Sequence, residues 1–296
     1  MTNKSDIDIL LEAQPSDTIA RQLVVWAGYT RDRIARGDLM LGLLSIDEVA
    51  KIPTAYQTAA EHGDSNAWIM LAWWYALPDV GKSDPQRAEA ALQKALDANV
   101  ENAQLELVKI RWFFKRDTAT KSEQKQAYQL VSGIVKSDPA NAEAIYFLAL
   151  LTTHGFGVDA SPETGFQLQL KSADLGCAHA MFELFVHYSI GLGVAADEQA
   201  AYKACQRAAE AGHSQAMYNL GAFNASGRGM PKNISEAIKW YERAADLGNP
   251  SAMAMLAVIY ATGDGVEPDR EYAAQLFDQA DYEGFDVSKL RQQVGL

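Results

Sequence analysis

The first candidate for a binding or catalytic motif is a glycine pair, Gly227 and Gly229, in the stretch GRGMPKN. Glycines spaced this way just before a helix can hold a phosphate, which would indicate a nucleotide-dependent enzyme. A phosphate-binding loop, however, occurs once per nucleotide site and follows a strand. In this chain the Gly-x-Gly pattern also begins at Gly155, Gly191 and Gly263, so the four copies are 36 residues apart. We therefore interpret the pairs as turns between repeated helices.

The other groups that often carry catalysis or bind metals show no diagnostic spacing. The five histidines form no H-x-x-x-H or H-E-x-x-H pattern, and the chain has neither a G-x-S-x-G elbow nor a Walker loop. The sequence therefore predicts a protein that is not an enzyme, with no catalytic, cofactor-binding or metal-binding residues. An enzyme with an unrecognised site in residues 1–65 or 102–140 is an unfavoured alternative. The histidines are His62, His154, His179, His187 and His213.

The net charge and the cysteine content limit the classes of partner and the cellular compartment that the sequence predicts. The net charge of −12 works against binding to nucleic acid or anionic membranes, because both depend on Lys and Arg contacts. The same charge would speed encounter with a basic protein partner, or it serves solubility alone.

The two cysteines, Cys177 and Cys205, are too few for a disulfide framework, so we expect buried, reduced side chains and a cytoplasmic protein. Periplasmic or secreted residence stays open if an export signal has been removed. No apolar run approaches the ~18 residues that span a bilayer, and we expect no membrane insertion.

Other residues recur with the same period as the glycine pairs, and each recurring position is called a column. These columns indicate which repeated helices flank the glycine turns. A column of alanines, a column of leucines and a closing column of glycines each recur every 36 residues. Self-similarity at this period is the mark of a helical solenoid, because one helix pair cannot bury its own apolar face and must stack on its neighbours. The columns are Ala144, Ala180, Ala216 and Ala252; Leu148, Leu184, Leu220 and Leu256; and Gly176, Gly212, Gly248 and Gly284, extended backwards by Gly63 and Asn99, Ala67 and Leu71, and Ala103 and Leu107.

Each repeat is predicted to contain a helix, a Gly-x-Gly turn, a second helix and a closing glycine. In the clearest copy the first helix is SQAMYNLGAFNAS and the second is SEAIKWYERAADLG, which Ser235 opens. Ala216, Leu220 and Asn224 fall on one stripe of the first helix, beside Gly221, and we expect this stripe to be buried. Gly248 suits the left-handed conformation that ends the second helix.

The stretch AMYNLGAFNASGRGMPKNISEAIKWYERAADLGN resembles a Sel-one-like repeat, a relative of the tetratricopeptide repeat. The resemblance is strongest over 214–249, good over 142–177, 178–213 and 250–285, and weak over the divergent units 64–101 and 102–140. It implies an all-α fold, a right-handed α-solenoid of stacked antiparallel helix pairs. We expect 1–63 to be an N-terminal helical segment with room for a degenerate repeat, 64–285 a continuous solenoid, and 286–296 a C-terminal cap.

The resemblance also implies a function: an adaptor or scaffold that holds a protein or peptide in its concave groove. An immunity or antitoxin protein that sequesters a toxic effector is the alternative. Helix geometry places the residues two before, two after and five after each repeat leucine opposite the packing face, and the resemblance implies that this side lines the groove. Many of these residues are apolar or aromatic. These side chains could instead pack on each other within the superhelix, and the oligomeric state stays open. The candidate groove residues are Ile69, Trp73, Leu105, Lys109, Trp112, Tyr146, Phe182, Val186 and Tyr218.

Overall fold

The regular structure of this protein is helical. A computed structural model describes residues 6–35, 45–77, 83–227 and 231–296. These residues contain sixteen α-helices and no β-strand. The helices are α1 Asp6–Glu12, α2 Asp17–Ala35, α3 Ile46–Glu61, α4 Ala67–Ala76, α5 Pro85–Asp97, α6 Ala103–Lys115, α7 Lys121–Ser137, α8 Ala142–His154, α9 Pro162–Asp174, α10 Ala178–Ile190, α11 Glu198–Glu210, α12 Ser214–Ser226, α13 Ile234–Asp246, α14 Pro250–Thr262, α15 Arg270–Tyr282 and α16 Ser288–Val294.

The chain divides into two compact units, each with its own packing. The first unit is Met1–Ile134 with Phe156–Val158, and the second is Val135–Gly155 with Asp159–Leu296. In the first unit α2 packs on α3 and α4 on α5, while α3 also contacts α4 and α5 contacts α6. Its core is built from aliphatic side chains such as Leu23, Ile52 and Leu92, which have no exposed surface.

The second unit is a row of helix pairs of equal length. Helices α8 to α15 each have 13 residues and form the pairs α8–α9, α10–α11, α12–α13 and α14–α15. We call the first member of each pair a first helix and the other a second helix. The second helices α9, α11 and α13 also pack on the first helix of the next pair. The predicted all-α solenoid of stacked helix pairs is confirmed.

The Gly-x-Gly pairs that begin at Gly155, Gly191 and Gly263 are turns, as predicted, whereas Gly229 of the fourth pair lies outside the described residues. Gly191 ends α10 with a φ of 73°, and its N–H donates to the carbonyl oxygen of His187 at 2.9 Å. Gly193 has a φ of 67°, and a Cβ placed on it would lie 2.2 Å from the carbonyl oxygen of Pro162 in the preceding second helix. The second glycine is therefore required both by its left-handed backbone and by the close approach of another main chain.

The buried stripe of the clearest repeat is also confirmed. Ala216, Leu220 and Asn224 are all buried, and the Asn224 amide donates to the Leu220 carbonyl oxygen at 2.8 Å. A Cβ on Gly221 would lie 2.5 Å from the Tyr241 ring of the following second helix. A larger residue at 221 would therefore push α13 away from α12, because rigid ring and helix backbone cannot both stay in place.

The start of the second helix differs from the prediction. Asn233 caps α13, because its side chain accepts a hydrogen bond from the Glu236 N–H, whereas Ser235 lies inside the helix. The same column caps the other second helices of this unit, with side chains that accept from backbone N–H groups two or three residues later. Its remaining members are Ser161, Asp197 and Asp269.

A second column of N-cap residues precedes the first helices, and one of its members makes no side-chain hydrogen bond to the start of its helix. The side chains of Asn141, His213 and Asn249 each accept a hydrogen bond from the backbone N–H three residues later, but Cys177 makes no such bond before α10. Cys177 nevertheless has nearly the backbone conformation of Asn249, with φ/ψ of −70°/109° against −76°/108°. It is a free thiol and only partly buried, whereas Cys205 is free and buried as expected.

This column predicts a stabilising substitution. Cys177→Asn is expected to raise the free energy of unfolding by about 1 kcal/mol, since an asparagine in this backbone conformation satisfies an N–H at the start of α10. Thermal and urea unfolding would measure the gain. Asn141→Ala is the matched control, because it removes the same bond before α8 and should cost a similar amount. An unchanged or lower stability of Cys177→Asn would contradict the prediction.

Candidate partner-binding surface

The candidate groove residues of the first unit lie on α4 and α6 and are only partly accessible. Leu105 and Trp112 are buried, with 3% and 7% of their surface exposed. Ile69, Trp73 and Lys109 are half-buried. Leu105 and Trp112 therefore offer little area to a partner, whereas the other three keep part of their surface in contact with solvent.

A carboxylate organises the half-buried part of this surface. The Glu106 side chain accepts a hydrogen bond from the Trp73 indole N–H at 2.7 Å and pairs with the Lys109 ammonium at 2.8 Å. The Trp73 ring also meets Phe114 edge-on, with 6.1 Å between ring centroids. A charge-assisted pair on each carboxylate oxygen fixes the position of Trp73 and Lys109.

The candidate groove residues of the second unit lie on the first helices α8, α10 and α12. Tyr146 of α8 is buried, with 8% of its surface exposed, and its ring centroid lies 5.7 Å from that of His179. Phe182 and Val186 of α10 and Tyr218 of α12 are half-buried. We call the partly accessible face of α10 and α12 that carries these three residues the first-helix surface.

Stacked rings connect the helices at this surface. Phe182 stacks on His213, with 4.4 Å between centroids and 12° between planes, and the His179 ring meets His213 edge-on at 5.1 Å. Phe182 also contacts Phe185 at 5.6 Å. Since aromatic pairs of this kind add stability beyond the area they bury, Phe182 both faces solvent and supports the turn before α12.

His213 has a second role as the cap of α12. Its Nδ1 accepts a hydrogen bond from the Ala216 N–H at 3.3 Å, which requires an unprotonated Nδ1. Burial, and to a lesser extent the nearby His179, lowers the pKa of His213 to about 4. The imidazole is therefore neutral at physiological pH, in the form that the cap and the Phe182 stack both use.

A depression of about 250 Å³ opens between α10 and α12 beside these rings. Sequence reasoning missed its two phenylalanines. Phe185 directly follows the repeat leucine, a column that holds Ala149, Gly221 and Ala257 in the other repeats of this unit. A bulky residue in a column of small ones was the available signal. The depression is lined by Phe185, Asn219, Ala222, Phe223 and Ser226.

Glu183 is a second residue that the sequence patterns did not single out. It is half-buried on α10, and within the part of the chain that the structure describes its carboxylate has neither a hydrogen bond nor an ion pair. Burial raises the pKa of Glu183 above its ordinary value, an effect that the nearby His179 partly offsets. The carboxylate is thus desolvated without the donors that usually compensate a buried acid.

Two other kinds of site are absent from the described ranges. No three His, Cys, Asp or Glu side chains among the described residues are grouped so that they could hold a metal ion. No helix in those ranges combines the length and the apolar character needed to cross a membrane.

Equal helix pairs, glycine turns and a partly apolar face on the first helices define the class of α-solenoid repeat proteins. The Sel1 repeat model matches this chain four times, at 142–177, 178–213, 214–249 and 250–280. The chain therefore contains four Sel1 repeats, and the predicted resemblance is confirmed over those residues.

Solved structures support the same fold. The crystal structure of a Sel1 repeat protein from Oxalobacter formigenes is 26% identical, with a TM-score of 0.57, and the match covers 77% of this chain and 94% of that one. The protective antigen c5321 of uropathogenic Escherichia coli, described as having an SLR fold, is 23% identical with a TM-score of 0.51, covering 93% of this chain and 58% of that chain.

The immunity protein Pa5087 of Pseudomonas aeruginosa is also similar, at 18% identity over 78% of this chain and 82% of that one. Its TM-score is 0.49, and an immunity role for this chain stays a prediction. The comparison with curated proteins finds no match.

Proposed function

We propose that this chain is a non-enzymatic protein-interaction module that binds a protein or peptide segment on its first-helix surface. The observation that carries the proposal is the set of apolar and aromatic side chains on α10 and α12 that stay partly exposed next to a depression: Phe182, Phe185, Val186 and Tyr218. Sel1 repeats are in general a protein-interaction fold, which agrees with this proposal.

Apolar side chains of this size are more stable buried against a partner than exposed to water. Burying an apolar side chain of this size contributes about 1.5–3 kcal/mol, and contiguous exposed apolar patches usually mark interaction sites. The second helices α9, α11 and α13 pack against α10 and α12, and the Tyr241 ring of α13 lies 5.8 Å from the Tyr218 ring, yet Phe182, Val186 and Tyr218 keep part of their surface in solvent. The first-helix surface is therefore the face of these helices that a bound segment would cover.

Val186→Asp tests this proposal. A partner captured by crosslinking in the source organism and then purified should bind the variant roughly 30–100-fold more weakly in titration calorimetry, because a charge replaces buried apolar contact. Val25→Asp is the matched control, since Val25 of α2 is 70% exposed and lies in the other unit. Val25→Asp should keep the parental melting temperature, whereas Val186→Asp should stay folded with a somewhat lower one, because it adds a half-buried carboxylate one turn from Glu183. Equal affinity of Val186→Asp and the parent protein would refute the proposed surface.

A further inference from the structure

Two glutamates occupy the same register in different repeats but have opposite surroundings. Glu106 of α6 directly precedes the repeat leucine Leu107, and Glu183 of α10 directly precedes Leu184. Both carboxylate oxygens of Glu106 accept a hydrogen bond, because one lies 2.8 Å from the Lys109 ammonium and the other 2.7 Å from the Trp73 indole nitrogen. The first unit thus shows which ligands a carboxylate in this register takes: a cation and an N–H donor beside an aromatic ring.

Neither ligand has a counterpart at Glu183. The register of Lys109 is occupied in α10 by Val186, and the register of Trp73 is occupied in α8 by Leu150. The nearest group that can carry positive charge is His179, one turn earlier on the same helix, and its ring is engaged by those of Tyr146 and His213. A half-buried carboxylate left without a donor destabilises the folded chain, and a donor supplied by a bound partner would compensate it.

We propose that Glu183 binds the lysine or arginine side chain of a protein segment that docks on the first-helix surface. The bound cation takes the place that Lys109 fills beside Glu106, and its methylene stem lies along Phe182 and Val186. This inference deepens the proposed function and rests on it.

Charge complementarity supports a basic segment as the occupant. The chain has a net charge of −12, so a basic segment is attracted before contact and is then held by a charge-assisted hydrogen bond. A side chain also suits the site better than a free divalent cation does, because one carboxylate flanked by apolar residues supplies too few oxygen ligands. An arginine or lysine needs only that carboxylate and an apolar surface for its stem.

The experiment selects twelve-residue peptides from a random phage library on the full chain and then measures the best peptide in synthetic form. Selected peptides should share an arginine or lysine flanked by apolar residues. Replacing that residue by citrulline or by norleucine, respectively, should weaken binding roughly 10–100-fold, as expected for one hydrogen bond to a charged group. The same replacement should change nothing on Glu183→Gln. Glu242→Gln, at an exposed glutamate of α13, is the control and should behave as the parent protein.

Folding of the variant is checked by its melting temperature, which should equal or exceed that of the parent because an uncompensated charge is removed. Glu183→Asn is a second variant, since Asn219 occupies this register in the next repeat. Peptides that need Val186 but carry no basic residue, or a citrulline effect that persists on Glu183→Gln, would overturn this inference and leave the proposed function intact. Peptides insensitive to both Val186→Asp and Glu183→Gln, or no selected peptide, would count against both.

Discussion

Gly193→Ala is expected to lower the free energy of unfolding by about 4 kcal/mol, a large effect for a single added methyl group. Two costs combine at this position. The backbone has a φ of 67°, which an alanine adopts with strain, and the new Cβ would lie 2.2 Å from the Pro162 carbonyl oxygen and 2.8 Å from the Glu163 nitrogen. Both neighbours are main-chain atoms of α9, so no rotamer change relieves the contact and the helix pairs must separate. Urea unfolding followed by circular dichroism would measure the loss.

Gly212→Ala separates the two costs. Gly212 has a φ of 95°, but no atom lies within 4 Å of the place that an added methyl group would take, so only the backbone strain remains, about 1–2 kcal/mol. A larger loss for Gly193→Ala than for Gly212→Ala is the expected order. Equal losses would show that the contact between α9 and the α10–α11 turn is relieved by small shifts and does not determine how the pairs stack.

Acidification is expected to reverse the stability order of the parent protein and His213→Asn. In the folded chain the pKa of His213 is lowered to about 4, whereas the unfolded chain retains the ordinary value of 6.5. Below pH 6.5 the unfolded chain therefore binds a proton that the folded chain does not, and stability falls by about 1.4 kcal/mol per pH unit down to pH 4. This contribution is absent in the variant, which has no titrating group at 213.

At pH 7.5 the parent should be more stable by about 1 kcal/mol, because the variant loses the stack on Phe182 but keeps a capping side chain. At pH 5 the parent should have lost about 2 kcal/mol through proton linkage, so His213→Asn becomes the more stable protein. Asparagine is the appropriate replacement, since Asn249 caps the next first helix with the same φ of −76°. A stability difference that is the same at both pH values would contradict the assignment.

The helices and turns of the second unit were predictable because each depends on local chemistry that recurs every 36 residues. Glycine is favoured where the backbone is left-handed, and Gly248 at the end of α13 indeed has a φ of 77°. Asn99, in the same column, is left-handed too, with a φ of 52°, because asparagine tolerates this conformation better than most residues. The cap at Asn233 was missed, since a serine two residues later offered an equally plausible hydroxyl.

The candidate surface was only partly predictable, because a helical wheel gives direction but not depth. Tyr146 and Phe182 share a register, yet Tyr146 is buried to 8% exposure while Phe182 stays half-buried. The burial of each residue depends on neighbours from other repeats, such as His179 against Tyr146 and His213 against Phe182, which a helical wheel does not include. The pairing state of Glu183 was likewise hidden, because it depends on which residues of adjacent helices can reach its carboxylate.

The close approach of Gly193 to the main chain of α9 also bears on how a protein of this kind can change over generations. It brings main-chain atoms together and requires no particular side chain beyond the missing one. A gene could therefore duplicate or delete one whole module without inventing a new fit at either border. Mutations in the exposed positions of α10 or α12 would then alter what the protein captures while its architecture is inherited unchanged.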